Sequence, residues 1–600
     1  MAALLAAGGL VLTAPLFPQP ALACGTILIR DIYMTGAAGY TCSAGPIIYT
    51  FNDSMVELDN SVSTSTLNIQ VFPDHHVLSF NNLDGQDGVI FNYEVVAPTR
   101  SIQNIFHAFT SSADVPLAAF GVYTTPILPQ PPSTLPTSVT FDWETEYWLT
   151  GIGASASITS ITHVILFTNT GFYWDGGTGE FANNNVINGG PGTWNNLNMN
   201  WTLQDASING VWPAWGTAIF WGPAGGLVNV VGTQPISGLE FRTDGYVLRG
   251  GELQLVSVFP SGIMQVDAGV TATIESVVSD GGFNYGIIKT GAGTLNLMGN
   301  NTYAGGTHLQ QGLLGVGHNN ALGTGALTME ANTTLRALMG NLTLGNAVTL
   351  NGGATIDTQS FALTLSGIVS GVGALTKTGT GDLILTGDNS YTGDTTVNAG
   401  TLQIAGTGRL GQGNYAGGIA LNGGVFRYSS SADQTLSGVI SGSGSVTKDG
   451  ADSALTLTGN NTYTGGTFLQ QGTLGVGHNN ALGTGALAMA AGTTLLAAAN
   501  NLNLANAVTL NGAGTVNTQA FGFTLGGIVS GAGDLTKTGD GTLTLTGNNT
   551  YTGGTFLQQG TLGVGHNNAL GTGALTMAAG TTLLAAANNL NLANAVTLNG

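Results

Sequence analysis

The chain has 600 residues, with 11 Lys and Arg against 31 Asp and Glu, a formal net charge of −20 and only 7% of positions charged. That balance counts against partners held through phosphates, because nucleic acid or an anionic membrane surface would repel it, and ordinary soluble proteins carry roughly a quarter of charged residues. Ninety-five glycines and long stretches of recurring sequence count against one globular core and favour stacked repeating units.

The chain opens on a small-residue, Leu-rich apolar run from Ala2 to Thr13, then Pro15, Pro18 and Pro20, then Ala21-Leu22-Ala23, an A-x-A cleavage pattern before Cys24. Residues 1–23 are therefore expected to be a signal peptide. This run is too short to span a bilayer, and no other segment is long and apolar enough to do so. Cys24 and Cys42 are the only cysteines. In an oxidising compartment they are expected to pair as a disulfide; lipid attachment at Cys24 is the alternative, against which Ala21 stands where Leu is usual.

Residues 24–170 read as a β-rich, sandwich-like domain with strand stretches such as Val89-Ile90-Phe91 and a proline-rich connector between Pro126 and Pro136. Three places here have the composition of a site. Asp74-His75-His76 could offer metal ligands, but neighbours in a strand point to opposite faces. Asp84-Gly85-Gln86-Asp87-Gly88 resembles a calcium loop in composition but lacks the following ligands, which favours a hairpin turn. Asp142, Glu144 and Glu146 alternate among aromatics as a sugar-binding or glycosidase cleft would require, although an exposed strand face is the more economical reading.

Residues 171–255 form a Trp-rich junction and the start of the repeats. All eight tryptophans lie between Trp143 and Trp221. A binding platform is conceivable, but a solenoid must close its first rung, and large aromatics suit that task.

From 256 to 600 the repeats run. Tyr303, Tyr391, Tyr463 and Tyr551 mark copies 88, 72 and 88 residues apart, and residues 461–512 recur at 549–600 with the single change Ala488 to Thr576. Within each copy apolar residues alternate with Thr or Asn over short stretches, as in Thr542-Leu543-Thr544-Leu545-Thr546, bounded by Gly, Asn or Asp. This is a strand pattern with turn residues. Four rungs of about 22 residues per copy suit a three-sided, right-handed parallel β-helix. About 16 rungs at 4.8 Å would extend about 75 Å, with equivalent Asn and Thr pairing in rows above and below. No Pro follows Pro260, consistent with continuous ladders. The expected fold is all-β, a parallel β-helix behind a β-sandwich-like domain.

Two titratable positions recur with the repeats. His318, His478 and His566 recur within Gly-His-Asn-Asn, and a row of imidazoles could bind metal or sense pH; a copied turn residue explains them more simply, since no carboxylate or Cys repeats beside them. Lys289, Lys377, Lys448 and Lys537 read as solvated edge residues. No catalytic, cofactor or metal residues are assigned, and no cofactor is expected.

Phe172-Tyr173-Trp174-Asp175-Gly176, Gly192-Thr193-Trp194-Asn195, Asn200-Trp201-Thr202, Ala218-Ile219-Phe220, and Gly238-Leu239-Glu240-Phe241 through Asp244-Gly245-Tyr246 resemble the opening of autotransporter passengers from Gram-negative bacteria. Leu375-Thr376-Lys377-Thr378-Gly379, Leu535-Thr536-Lys537-Thr538-Gly539 and the following Asn-Thr-Tyr-Thr-Gly-Gly resemble that family's associated β-strand repeat. The resemblance covers residues 172–600 and implies type V secretion, with a signal peptide, a surface-displayed passenger and a carboxy-terminal outer-membrane barrel. Gly600 falls inside a repeat with no capping rung, so the reading frame is expected to be incomplete or the cap to come from a second polypeptide, and the outer-membrane barrel is expected but absent from this sequence.

The implied function is an exported cell-surface passenger or stalk, serving adhesion through an unknown surface receptor or glycan, without catalysis. Two alternatives differ in class: an extracellular polysaccharide-active β-helix enzyme, which needs clustered charges that 459–600 lacks, having only Asp534, Lys537 and Asp540; or a lectin-like module in residues 24–170 on an inert stalk.

Overall fold

The computed structural model describes residues 171–599 apart from short stretches within 177–183, 203–215 and 257–261, and before residue 171 it describes only the backbone of strands. The chain divides into two compact units, Met1–Thr170 and Gly171–Gly600. In the first, the described strands form two antiparallel sheets. One, of five strands, runs in the order Leu10–Val11, Thr26–Arg30, Val89–Val96, Trp143–Leu149, Phe120–Thr124; the other has seven, from Met34–Thr35 to Ile102–Ser111. Cys24, Cys42, Asp74, residues 84–88 and Asp142 lie outside the described residues, as do the side chains of His75, His76, Glu144 and Glu146.

The second unit is a parallel β-solenoid of about 18 turns. One complete turn reads Leu327–Met329, Thr334–Ala337, Leu342–Leu344, after which Val348–Leu350 stacks in register on the first of these, so there are three strands per turn. The side-chain alternation makes this geometry: in Thr334–Ala337, Leu335 and Ala337 point inward and are buried while Thr334 and Arg336 face outward. Repeating that choice on every strand produces one continuous apolar interior of Leu, Val and Ile. The turn is 21 residues here, from Leu327 to its partner Val348, and 20 from Ile287 to its partner Thr307, slightly shorter than the 22 expected.

Corners bring adjacent turns into close contact. At Gly371 and Gly531 φ is +105°, and a Cβ would sit 2.2 Å and 2.3 Å from the carbonyl oxygens of Leu350 and Leu510 in the turn before. Glycine is required there both by backbone conformation and by space. Outside, ion pairs such as Arg336 with Asp357 at 2.9 Å and Arg409 with Asp388 at 2.6 Å link neighbouring turns. Lying at the solvent-facing surface, with the arginines about a third exposed, they contribute little to stability.

The amino-terminal end of the solenoid is closed by a fold-back. Trp201–Thr202 and Asn209–Gly210 add to the edge of Gly171–Trp174 as antiparallel strands, in a sheet whose later strands are all parallel. This ends the ladder on a strand pairing that the stacked turns cannot extend, and so manages an otherwise open edge.

Candidate functional site

No described part of the solenoid concentrates chemistry in one place, so what each repeat does with its polar residues defines the candidate site. Lys289, Lys377, Lys448 and Lys537 are fully buried, at 0% exposure, which corrects the expectation of solvated edge residues. Strand alternation explains it: in Leu375–Thr378, Leu375 and Lys377 share the inward face, and Lys377 stacks between Ile356 and Val397 of the adjoining turns. The ammonium then curls to the corner. Lys377 Nζ donates to the carbonyls of Thr378 at 2.9 Å, Gly379 at 2.8 Å and Ala399 at 3.0 Å, and to Thr358 Oγ1 at 2.9 Å. Lys289 and Lys537 use the equivalent three carbonyls at 2.6–3.1 Å, and Lys448 reaches Gly450 and Gln471. Two of these carbonyls belong to the lysine's own corner and the third to the next turn, so each ammonium joins two turns. Burial pushes all four ammonium pKa values down to about 8.

Twelve or thirteen residues after each lysine the ladder is interrupted. Asn301, Asn389, Asn461 and Asn549 are buried, and each replaces missing strand bonds with its side-chain amide. Asn461 Oδ1 accepts from the Ile440 N–H at 2.7 Å while Nδ2 donates to the Ala481 carbonyl at 2.6 Å, one turn before and one turn after. Asn301 and Asn549 repeat this with Val278 and Ala321, and with Val529 and Ala569. Two residues on, Tyr303, Tyr391, Tyr463 and Tyr551 fill the interior where no strand runs. Their hydroxyls pair with Thr307, Thr395, Thr467 and Thr555 at 2.6–2.9 Å. Burial raises the phenol pKa of each, to about 12 for Tyr551. Replacing Asn461 by Leu, similar in size but without an amide, leaves a buried donor and a buried acceptor unpaired; the expected loss is about 2–4 kcal/mol. Hydrogen exchange at the Ile440 N–H, with fast exchange expected, checks it.

These interruptions change how copies stack. Ile287–Thr290, carrying Lys289, lies in an 11-stranded sheet that ends at Val369–Gly371. The chain makes four turns along it, then places Leu375–Thr378, with Lys377, on the next, 13-stranded sheet; Ser445–Lys448 lies on a third, and Leu535–Thr538 on a fourth. A turn reads first, second, third sheet from Leu327 to Gly371, and second, third, fourth from Thr395 to Gly442, so the fourth takes over the face of the first. Each copy is therefore a whole number of turns plus one third. Adjoining turns do stack like residues, as expected, with Thr376 in register between Thr355 and Thr396 and Asn320 bonded to Asn300, but successive copies step round the axis one face at a time. The middle copy, 71 residues between Lys377 and Lys448 against 88 between Lys289 and Lys377, omits one turn and keeps the one-third step.

The histidines stand a whole copy or more apart along the axis. His318, His478 and His566 follow strands on three different sheets, and each is a turn residue: Nδ1 accepts from the N–H two residues on, Asn320, Asn480 or Asn568, at 3.0 Å. The adjoining asparagines hold the turns together, as Asn320 Nδ2 donates to Asn300 Oδ1 at 2.8 Å and Asn319 Oδ1 accepts from the Thr343 N–H at 2.9 Å. No row of imidazoles forms, and among the described residues no cluster of three or more His, Cys, Asp or Glu could hold a metal.

At the fold-back end, Trp174, Trp194, Trp201 and Trp212 are buried in one cluster with Phe220. Trp201 is its centre, with ring centroids 5.1 Å from Trp174, 4.8 Å from Trp194 and 4.4 Å from Trp212. Asp175, also buried, accepts from the Asn188 N–H at 3.0 Å and from Asn209 Nδ2 at 2.9 Å, which fastens the fold-back to the first strand. Sequence reading identified the aromatics as closing material. It missed the buried Lys, Asn and Tyr set, although the parity of Leu and Lys in Leu-Thr-Lys-Thr was already a signal of inward orientation.

Fold and interior together define a modular parallel β-solenoid in which every module carries the same buried polar set. More particularly, its repeats match the passenger-associated-transport-repeat family at residues 287–316, 375–404, 446–476 and 535–564, and the solenoid is consistent with an autotransporter passenger. Each match encloses one of the four Lys, Asn, Tyr and Thr sets described above. The chain is also 34% identical over 245 residues to the adhesin BmaC autotransporter of Brucella suis biovar 1 (strain 1330), a match covering 38% of this chain and 7% of that relative. No solved structure matches the chain.

Proposed function

We propose that the chain serves as a surface-displayed, non-catalytic passenger rod that mediates adhesion or cell contact. The observation that carries this reading is the modular interior. Polar groups capable of chemistry are consumed inside, the lysines in joining turns and the tyrosines in bonds to nearby threonines, and the outward faces carry mostly Thr, Ser, Asn and Gly. A polysaccharide-active enzyme would need acidic and basic side chains gathered on one outward face, and 459–600 has three charged residues in all. Similarity to an autotransporter named as an adhesin supports display outside the cell and contact with a surface receptor or glycan as the class of role.

The test compares cells carrying the full gene, cells lacking it, and cells in which residues 460–547 are excised, a cut that joins Gly459 to Asn548 and restores the Gly-Asn-Asn-Thr reading. The expected result is that added protease removes the protein from intact cells, that loss of the gene reduces attachment to host cells or matrix several-fold, and that the excised form still attaches. Full attachment by cells without the gene would sink the proposal. Release of sugar fragments from a polysaccharide by the full-length protein would replace it with the enzymatic reading.

A further inference from the structure

We propose that Asn511-Gly512 is a site of spontaneous covalent ageing, at which the asparagine side chain is converted to aspartate and isoaspartate while the solenoid remains folded. The reaction needs a main-chain nitrogen free to attack, no side chain on the following residue, and an unrestrained amide. The Gly512 nitrogen attacks Asn511 Cγ, a C–N bond forms as ammonia leaves, and water then opens the resulting succinimide at either carbonyl. Water is the only co-reactant.

The structure supplies these conditions at this position. Gly512 is fixed by packing, since a Cβ there would lie 2.6 Å from the Ala491 Cβ of the preceding turn, so the labile dipeptide is built in by the close approach of turns. Asn511 is exposed and its own N–H is held by the Met489 carbonyl at 2.9 Å. Among the described residues neither the Gly512 N–H nor the Asn511 side chain has a hydrogen-bond partner.

The chain contains its own control. Asn351-Gly352 is the same position one copy pair earlier: the Asn351 N–H is held by the Met329 carbonyl at 3.0 Å, and Gly352 packs on Ala331 at 2.7 Å. There the Asn351 amide donates to Glu330 Oε1 at 2.7 Å. Glu330 is replaced by Ala490 in the later copy, so the amide that one copy restrains, the other leaves free. The remaining described pairs are also restrained: Asn422 Nδ2 donates to Asn398 Oδ1 at 3.1 Å, Asn209 is buried against Asp175 at 2.9 Å, and Asn188 Nδ2 donates to the Val186 carbonyl at 3.1 Å. Conversion at Asn511 would add a negative charge to a region holding three charged residues.

The experiment incubates the folded full-length protein in warm, mildly alkaline buffer and follows amide-to-acid conversion by peptide mass spectrometry. A chymotryptic peptide from Asn511 to Phe521 distinguishes this copy from the next. Asn511 is expected to convert at least several-fold faster than Asn351, with isoaspartate as the larger product, and Glu330→Ala is expected to raise the Asn351 rate toward that of Asn511. Equal rates at Asn351 and Asn511 in the unaltered protein, or no conversion at Asn511 while an unfolded peptide of the same sequence converts, would overturn the proposal. No response of Asn351 to Glu330→Ala would overturn the role given to the carboxylate.

Discussion

Raising the pH from 7 to 10 is expected to stabilise the solenoid, and raising it further to destabilise it, giving a stability maximum near pH 10. The lysines set the rising limb. An unfolded lysine titrates at 10.5, whereas the four buried ones are pushed down to about 8. Between these values the unfolded chain holds protons that the folded chain has released, so stability increases with pH. Each pK unit is worth about 1.4 kcal/mol, which makes the four together a matter of several kcal/mol. The tyrosines set the falling limb. Their folded pKa values lie above the ordinary 10, about 12 for Tyr246, Tyr415 and Tyr551. Above pH 10 the unfolded chain therefore loses protons that the folded chain keeps, and stability declines. Thermal melts followed by far-ultraviolet circular dichroism at pH 7, 8.5, 10 and 11.5 test both limbs. A melting temperature that stays level from pH 7 to 10 would show that the three carbonyls, which favour the ammonium, offset its burial.

Trp201→Ala should open the amino-terminal end and leave the far copies intact. Deleting a fully buried Trp costs about 3–5 kcal/mol, and here the ring touches Trp174, Trp194, Trp212 and Phe220, so the whole cluster loses its centre. Because each turn contacts only its neighbours, that loss should be local. Hydrogen exchange should speed up in residues 171–255 and remain at its original protection in residues 459–585. Uniform loss of protection along the chain would mean that the solenoid unfolds as one cooperative body and that the module picture of its energetics is wrong.

What could be read from the sequence depended on whether the signal was local. Period-two alternation in Thr542-Leu543-Thr544-Leu545-Thr546 fixes strand and face at once, and the recurring tyrosines announce stacking, so the all-β parallel solenoid was legible. The fate of Lys377 was half legible. Its parity with Leu375 placed it inward, but charge argued outward, and only the carbonyls of Thr378, Gly379 and Ala399 converging on one corner decide the matter. The one-third step was not legible, because 88 residues divide into four turns of 22 as readily as into four and a third of about 20; the division depends on how Asn461 and Tyr463 bridge the place where a strand is missing. The role of Asp175 was hidden for the same reason, its partners lying 13 and 34 residues away.

The one-third step has a genetic consequence. Near-identical copies such as 461–512 and 549–600 invite recombination that gains or loses a unit, and every such event does two things to any residue downstream. It moves that residue along the axis and swings its compass bearing by a third of a circle. A lineage that gains one unit thus presents its distal surface in a new direction without a single point mutation, and only after three gains does the original heading return.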